Sequence, residues 1–288
     1  MTLDPQAILA HLGITGQIER VHGGQDAAIW RVETPQGAYA LRAMRPEQRP
    51  TAALEAAAMR AARAGGVPTP PLRALIEWEG RPVMLMDWMP GVPLAHQVQA
   101  DPAAAVALCY AFGEVQARIH AIPAPPELVN FQRGWIEWLG DDEPALQARL
   151  RALPRRDALI HLDYHPLNAL VDGDHISAVI DWTNARAGDP RADLARTYAI
   201  LRVEPWTPDP EPPRLRWLRR TLTSAWWRAY VAAAGHPGEI ALFFAWAGFA
   251  MINDLAPRVG KPGSHYTPDH MARVGRWASR WKRRAGVG

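Results

Sequence analysis

The first ninety residues alternate apolar and polar side chains with a period of two. The runs GQIERVHGG (16–24), AAIWRVETPQG (27–37), AYALRAMR (38–45), LRALIEWEG (72–80) and RPVMLMDWM (81–89) carry this pattern and predict strands. TPQG, between the second run and the third, marks a turn. One helix is expected among them, from about Thr51 to Ala64. It follows Pro50, is loaded with alanine, and stops at Gly65 and Gly66 ahead of Pro68.

After PGVP (90–93) the period changes. Asp101 stands as a plausible N-cap with Pro102 at the first helical position, opening an Ala-rich helix to about His120. From there helices dominate, including RLRWLRRTLTSAWWRAYVAAAG and EIALFFAWAGFAMIND, with EPWTPDPEPP and APRVGKPGSHYTP as Pro-rich loops. Two short apolar runs, NALVDG and ISAVIDW, interrupt the helices and predict a small hairpin. The expected architecture is therefore α+β: a mainly β lobe over residues 1–88 with one helix, and a larger, mainly helical lobe over 89–288. MDWMPG is the expected hinge between them.

Composition sharpens this picture. A chain of 288 residues that is 48% hydrophobic can fill a large core. No apolar run approaches the roughly 18 residues that cross a bilayer. The opening MTLDPQAILAHLG lacks the basic and apolar regions of a signal peptide. The expectation is a cytoplasmic protein with no membrane partner, and the lone Cys109 suits a reducing compartment. The only lysines are Lys261 and Lys282, so a functional cation earlier in the chain has to be arginine. From residue 207 onward, 13 Lys and Arg stand against 5 Asp and Glu. The tail RWASRWKRR sets Trp277 and Trp281 four residues apart. That spacing reads as one helix face packing on a core; tryptophan between arginines also suits a nucleic-acid or membrane surface. No nucleic-acid partner is expected.

The densest chemistry lies in IHLDYHPLNALVDGDHISAVIDW (160–182). Asp163 and Asn168 are five residues apart, Asp181 follows thirteen later, and a hairpin can bring the three together. Two carboxylates and an amide oxygen are hard donors that suit magnesium carried with nucleotide phosphates. Transfer of a phosphoryl group needs such charge neutralisation, together with a residue that positions the attacking hydroxyl.

HLDYHPLN, then VIDW, then GDPRADLA resembles the aminoglycoside phosphotransferase and choline kinase family, which shares the protein kinase-like fold, and the resemblance covers nearly the whole chain. It implies ATP and Mg2+ as cofactors, Asp163 as catalytic base, His161 as a brace for the loop, and Asn168 and Asp181 as metal ligands. Asp193 matches a buried aspartate that holds the catalytic-loop backbone. Asp189 with Pro190 reads as a helix cap. Family members commonly have glycine where Leu162 and Leu167 stand here.

Upstream, the resemblance assigns the parts of a nucleotide site. Gly23 and Gly24 lie in a turn that could cover phosphates. Arg42 stands where the family carries a cation on the α and β phosphates, and its guanidinium can fork onto phosphate oxygens. Glu55 matches the carboxylate that orients this cation. Met86 to Met89, with Trp88 among them, form the expected adenine hinge, flanked by Met84. An ordinary surface ion pair is the other reading of Arg42 and Glu55, and would contribute about 0–1 kcal/mol.

The expected reaction is transfer of the γ-phosphate of ATP to a hydroxyl of a small molecule. Two other readings stand beside it. One is a kinase-like nucleotide-binding module without catalysis. The other is a metal enzyme using His161, Asp163 and His165 with a distant His236 or His265. For the acceptor, the residues from 207 onward carry only Asp209, Glu211, Glu239, Asp254 and Asp269, which weakens a polycationic aminoglycoside. Asp254, after an apolar helical run, is the expected acceptor contact.

Overall fold

Leu41, Arg42, Ala43 and Met44 alternate across one strand, and this alternation divides the N-terminal lobe into two faces. The computed structural model describes residues 3–21, 27–207 and 210–287. Strands β1 (Gln17–Val21), β2 (Ala27–Thr34), β3 (Gly37–Met44), β4 (Leu72–Trp78) and β5 (Arg81–Asp87) form an antiparallel sheet in the order β1-β2-β3-β5-β4. On one face Trp30, Val32, Leu41, Ala43, Val83 and Leu85 bury themselves with Ile8 and Leu9 of helix α1 (Pro5–His11). On the other, Met44 and Met84 pack with Ala52 and Ala56 of helix α2 (Arg49–Ala64). Arg42, opposite Met84 in the β3–β5 register, projects from this second face. Period-2 alternation thus places Arg42 on the helix side of the sheet.

Helix α1 joins the one helix expected here. Asp4 caps it by accepting from Gln6 N–H at 2.9 Å. Its seven residues are too few for a helical period to show, and it is held by burial against the sheet. Helix α2 begins at Arg49, with Pro50 inside its first turn, two residues ahead of the expected start.

The C-terminal lobe opens with β6 (Val92–Pro93) and α3 (Leu94–Ala100). Then comes α4 (Ala105–His120), which starts later than expected: Asp101 Oδ1 accepts from Ala103 and Ala104 N–H and caps a turn ahead of the helix. Short helices α5 (Pro126–Val129) and α6 (Pro144–Arg151) follow. Strand β7 (Ala158–Ile160), the hairpin β8 (Ala169–Asp172) and β9 (His175–Val179), and β10 (Arg186–Gly188) come next. The expected hairpin is present, and β6 extends it to the order β6-β8-β9. Gly91, at φ +103°, makes this possible, since a Cβ there would stand 2.2 Å from the Val171 carbonyl oxygen.

The remaining helices are α7 (Pro190–Arg202), α8 (Pro213–Ala234), α9 (Ala241–Leu255) and α10 (Pro268–Arg284). Helix α7 is the spine. Leu194 and Leu201 face the cluster built with α4 and α8, while Ala192, Ala195 and Ala199 face a second cluster with α9. Helices α4 and α8 meet at Gly113, where a Cβ would approach Trp226 O to 2.3 Å. A buried polar ladder crosses all three helices: Trp226 Nε1 donates to Gln116 Oε1 at 2.8 Å, and Gln116 Nε2 donates to Thr197 Oγ1 at 2.9 Å. On α10, Trp277 and Trp281 pack on Phe244 with ring centroids at 5.7 and 4.7 Å, which is the core-packing reading of the basic tail. Among the described residues, no helix is long and apolar enough to cross a membrane.

Candidate active site

The segment from His161 to Asn168 leaves β7 and returns as β8, and its backbone is pinned from below by a helix. Asp193, in the first turn of α7 and fully buried, accepts from Leu162 N–H (Oδ1, 2.7 Å) and His161 N–H (Oδ2, 3.1 Å). His120 Nε2 lies 2.9 Å from the same carboxylate, and His120 Nδ1 lies 2.9 Å from Tyr230 Oη. Burial alone would raise the pKa of Asp193, but His120 and the backbone donor at His161 hold it below the usual carboxylate value. The helix start itself is capped as expected by Asp189, which accepts from Arg191 N–H at 3.0 Å.

The clamp is needed because Leu162 adopts φ +64°, a left-handed conformation that a leucine reaches only under constraint. His161 sits beneath the turn, fully buried. Its Nδ1 accepts from Asp163 N–H at 3.3 Å and its Nε2 faces the Ile180 carbonyl at 3.2 Å. Only the neutral ring protonated on Nε2 serves both partners, and burial lowers its pKa accordingly.

Asp163 points from this loop into a cleft of about 1010 Å3. Asn168, 8% exposed, commits its Nδ2 to Asp163, at 3.0 Å from the carbonyl and 3.3 Å from Oδ2, so its Oδ1 is the atom left to accept. His165 Nε2 lies 3.5 Å from Asp163 Oδ1. Burial pushes the Asp163 carboxyl up, but His165 outweighs it and brings the pKa down to about 2. His165 responds in the opposite sense: desolvation lowers its pKa, and the carboxylate raises it overall.

Asp181 follows β9 at φ +59°, and its side chain is 47% exposed at the cleft. Two residues later, Thr183 joins the lobes. Its hydroxyl accepts from Arg42 Nη2 at 3.0 Å and stands 2.8 Å from Asp181 Oδ1 and 3.1 Å from Glu55 Oε2. Arg42 Nη1 donates to Glu55 Oε1 at 2.5 Å, and Nη2 lies 3.5 Å from Asp181 Oδ1. The Arg42 and Glu55 side chains are 11% and 2% exposed, so this is a buried pair and not the surface pair considered above. Burial raises the pKa of Glu55 even against the pull of Arg42.

The structure thus brings Arg42, Glu55, Asp163, Asn168 and Asp181 to one region, with His161 behind it. Thr183 had no signal in the sequence beyond its place after VIDW. Asp254 lines the same cleft and pairs with Arg196. Met86 and Trp88 do not line it; Trp88 lies against Arg31, with the guanidinium 5.1 Å from its ring. Met84 is buried under α2. Gly23 and Gly24 lie outside the described residues. The rival histidine cluster does not assemble. His161 has both nitrogens engaged, His265 Nε2 is 2.7 Å from Pro205 O, and His236 Nδ1 accepts from Gly238 N–H. Among the described residues, no group of three or more His, Cys, Asp or Glu is placed to hold a metal ion.

Known proteins are similar to this chain in family and in fold. A family model for the phosphotransferase enzyme family matches residues 17–236. No curated protein matches the chain. Among solved structures, a thermostable mutant of aminoglycoside phosphotransferase APH(4)-Ia in ternary complex with AMP-PNP and hygromycin B is similar at 17% identity, covering 98% of each chain with a TM-score of 0.67. Amicoumacin kinase hAmiN, in complex with AMP-PNP, Ca2+ and Ami, is similar at 14% identity over 98% of this chain and 94% of that one, with a TM-score of 0.67. Macrolide 2'-phosphotransferase MphH from Brachybacterium faecium is similar at 19% identity over 93% and 96%, with a TM-score of 0.56. At these identities the likeness establishes the two-lobed, kinase-like fold.

Proposed function

The chain belongs to the phosphotransferase enzyme family, and from that premise we propose that it transfers the γ-phosphate of ATP to a hydroxyl of a small molecule in the cleft between its lobes. The observation that carries this reading is the Thr183 junction. One hydroxyl ties the Arg42–Glu55 pair of the N-terminal lobe to Asp181 of the C-terminal lobe, in the cleft that Asp163 also lines. A buried cation beside a carboxylate is an arrangement that suits a phosphate and a divalent ion.

In this reading Arg42 binds phosphate oxygens of the donor, and Glu55 fixes its direction. Asn168 Oδ1 and Asp181 hold a divalent cation, Mg2+ by the hardness of the donor set. Two protein ligands fit that ion, which keeps waters and takes phosphates for the rest of its shell. When bound, the ion neutralises charge on the donor's phosphates. Asp163 accepts a hydrogen bond from the acceptor hydroxyl and aims its oxygen at the γ-phosphorus. An oxygen–phosphorus bond forms there, the bond from the γ-phosphorus to the β–γ bridging oxygen breaks, and ADP leaves. Asp163 acts by orientation first and takes the proton late, as a loose transition state allows. Asp87 N–H bonds Pro71 O and Trp88 N–H bonds Ala38 O. The sheet therefore keeps the chain through 88, which supports lobes of 1–88 and 89–288 with Met86 and Trp88 at the end of the N-terminal lobe.

The test is Mg2+-dependent ADP release by purified protein and by Asp163→Asn, against pools of hydroxyl compounds. Release stimulated by one pool in the wild type and lost in the variant supports the reading. Nucleotide binding without release from any pool favours a binding module, and absence of nucleotide binding overturns the proposal.

A further inference from the structure

Three arginines are buried among the described residues, Arg186, Arg196 and Arg219. Arg196 pairs with Asp254, and Arg219 pairs with Glu211 at 2.5 Å. Arg186, on β10 and 8% exposed, pairs with no carboxylate among the described residues. Its Nη1 donates to the carbonyls of Ala185 at 2.7 Å and Thr183 at 3.4 Å, and its Nε donates to the carbonyl of Arg133 at 3.3 Å. The Phe131 ring lies 5.2 Å from the guanidinium carbon. Nη2 has no hydrogen-bond partner among the described residues and keeps accessible surface, and the side chain lines the cleft. Burial and then the neighbouring charge of Arg133 press its pKa down, yet a guanidinium stays a cation at neutral pH. A buried charge that meets only neutral carbonyls is incompletely balanced, and an anion at Nη2 would complete it.

Two spatial relationships identify the anion. Thr183 stands between two guanidiniums: Arg42 Nη2 donates to its hydroxyl at 3.0 Å, and Arg186 Nη1 donates to its carbonyl. The same hydroxyl stands 2.8 Å from Asp181 Oδ1. In the β7–β10 register, Arg186 lies opposite Ile160, where the chain enters the loop that carries Asp163. Arg186 thus flanks Asp181 from the C-terminal lobe as Arg42 flanks it from the N-terminal lobe. Glu137, which lines the same cleft, is paired with Arg151 at 3.2 Å, while Arg133 adds a second cation. We propose that Arg186 is a further catalytic residue: its Nη2 donates to a non-bridging oxygen of the phosphoryl group during transfer and then holds the phosphate on the product side of the cleft. The inference rests on the phosphotransfer reading for the origin of that phosphate, but not for its binding. In the step, the acceptor oxygen bonds to the γ-phosphorus and the bond from the γ-phosphorus to the β–γ bridging oxygen breaks. ADP keeps that oxygen, and the hydroxyl proton goes to Asp163. Arg186 gives up no proton. A donor aimed where charge moves during transfer stabilises the transition state more than the bound nucleotide, which Arg42 already serves.

The experiment loads the protein with ADP and Mg2+, so that the donor side is filled, and titrates inorganic phosphate at constant ionic strength by calorimetry. The wild type is expected to bind phosphate, and R186Q to bind it about tenfold more weakly, the effect of one charge-assisted hydrogen bond, with ADP affinity little changed. With any acceptor that stimulates ADP release, R186Q should lower kcat by about 100-fold while acceptor KM holds. R186K should stand between the two in both measurements. No phosphate binding by the wild type, or equal binding by R186Q, overturns the inference. So does a lower kcat with phosphate affinity intact, which would make Arg186 a brace for the Thr183 carbonyl. A raised KM with kcat intact also overturns it, since the guanidinium would then bind an anionic group of the acceptor itself. Phosphate binding that depends on Arg186, without ADP release from any pool, would overturn the phosphotransfer reading and leave the anion site standing. If R186Q melts below the assay temperature, R186K carries the test.

Discussion

Leu162 stands at φ +64° and donates its backbone N–H to Oδ1 of Asp193 at 2.7 Å, so the left-handed backbone in the loop from His161 to Asn168 is held by the buried carboxylate of a helix residue thirty-one positions away. Asp193→Asn replaces an oxygen facing a donor with an amide and removes the charge opposite His120. The expected loss is about 3–5 kcal/mol of stability, with activity falling as the loop relaxes. Thermal and denaturant melts beside turnover check it. A carboxyl held below its ordinary pKa contributes stability above the unfolded value, and that contribution disappears as pH falls through the folded one. The wild type should therefore lose stability below about pH 4, and Asp193→Asn should lose less over the same range.

Comparing Leu162→Ala with Leu162→Gly isolates the strain. Both remove a fully buried side chain and should cost about 2–5 kcal/mol. Alanine keeps the left-handed penalty and glycine does not, so the glycine variant should be the more stable of the two by about 1 kcal/mol. The reverse order, measured by urea unfolding, would show that the turn is unstrained.

Arg42→Ala leaves Glu55 buried without its cation. We expect a loss of about 3–5 kcal/mol of stability and a rise of roughly 10- to 100-fold in nucleotide Kd. Calorimetric titration with a non-hydrolysable ATP analogue measures the second. Unchanged affinity would remove Arg42 from the nucleotide site.

Thr183→Val keeps the shape of the side chain and deletes the hydroxyl between Arg42 and Asp181. The divalent ion concentration giving half-maximal ADP release should rise by about tenfold, the usual effect of losing a group that orients a metal ligand. Thr183→Ser should restore it. A variant that unfolds without changing its metal requirement would make Thr183 a packing residue.

Asp163→Asn should lower kcat by about 100- to 10,000-fold while nucleotide affinity holds. A nucleotide affinity that falls in step with kcat would instead mean that the loop had collapsed.

Much of this architecture was legible in the chain because its signals are local. Leu41 to Met44 alternate on their own, DPRADLA starts a helix with its own cap, and Asp163 and Asn168 share one loop. Helix α1 was not legible, because Ile8 and Leu9 acquire meaning only against a sheet that closes eighty residues later. Thr183 was hidden for a similar reason: its partner Arg42 is 141 positions away. His120, which reads as an ordinary helix-end histidine, is tied to Tyr230 and Asp193 by a fold that brings three helices together.

Helix α7 faces two cores and also carries Asp193 and Arg196, so nearly every residue along it is already committed to something. Such a helix has little room to drift. If this chain were to acquire a new acceptor, by selection or by design, the workable substitutions would lie on the walls opposite, at Leu218 and Leu222 of α8 and Met251 and Leu255 of α9. In the proposed reading those helices can change what enters the cleft while the loop that carries Asp163 and Asn168 stays as it is, which makes substrate range and chemistry separately evolvable within one lobe.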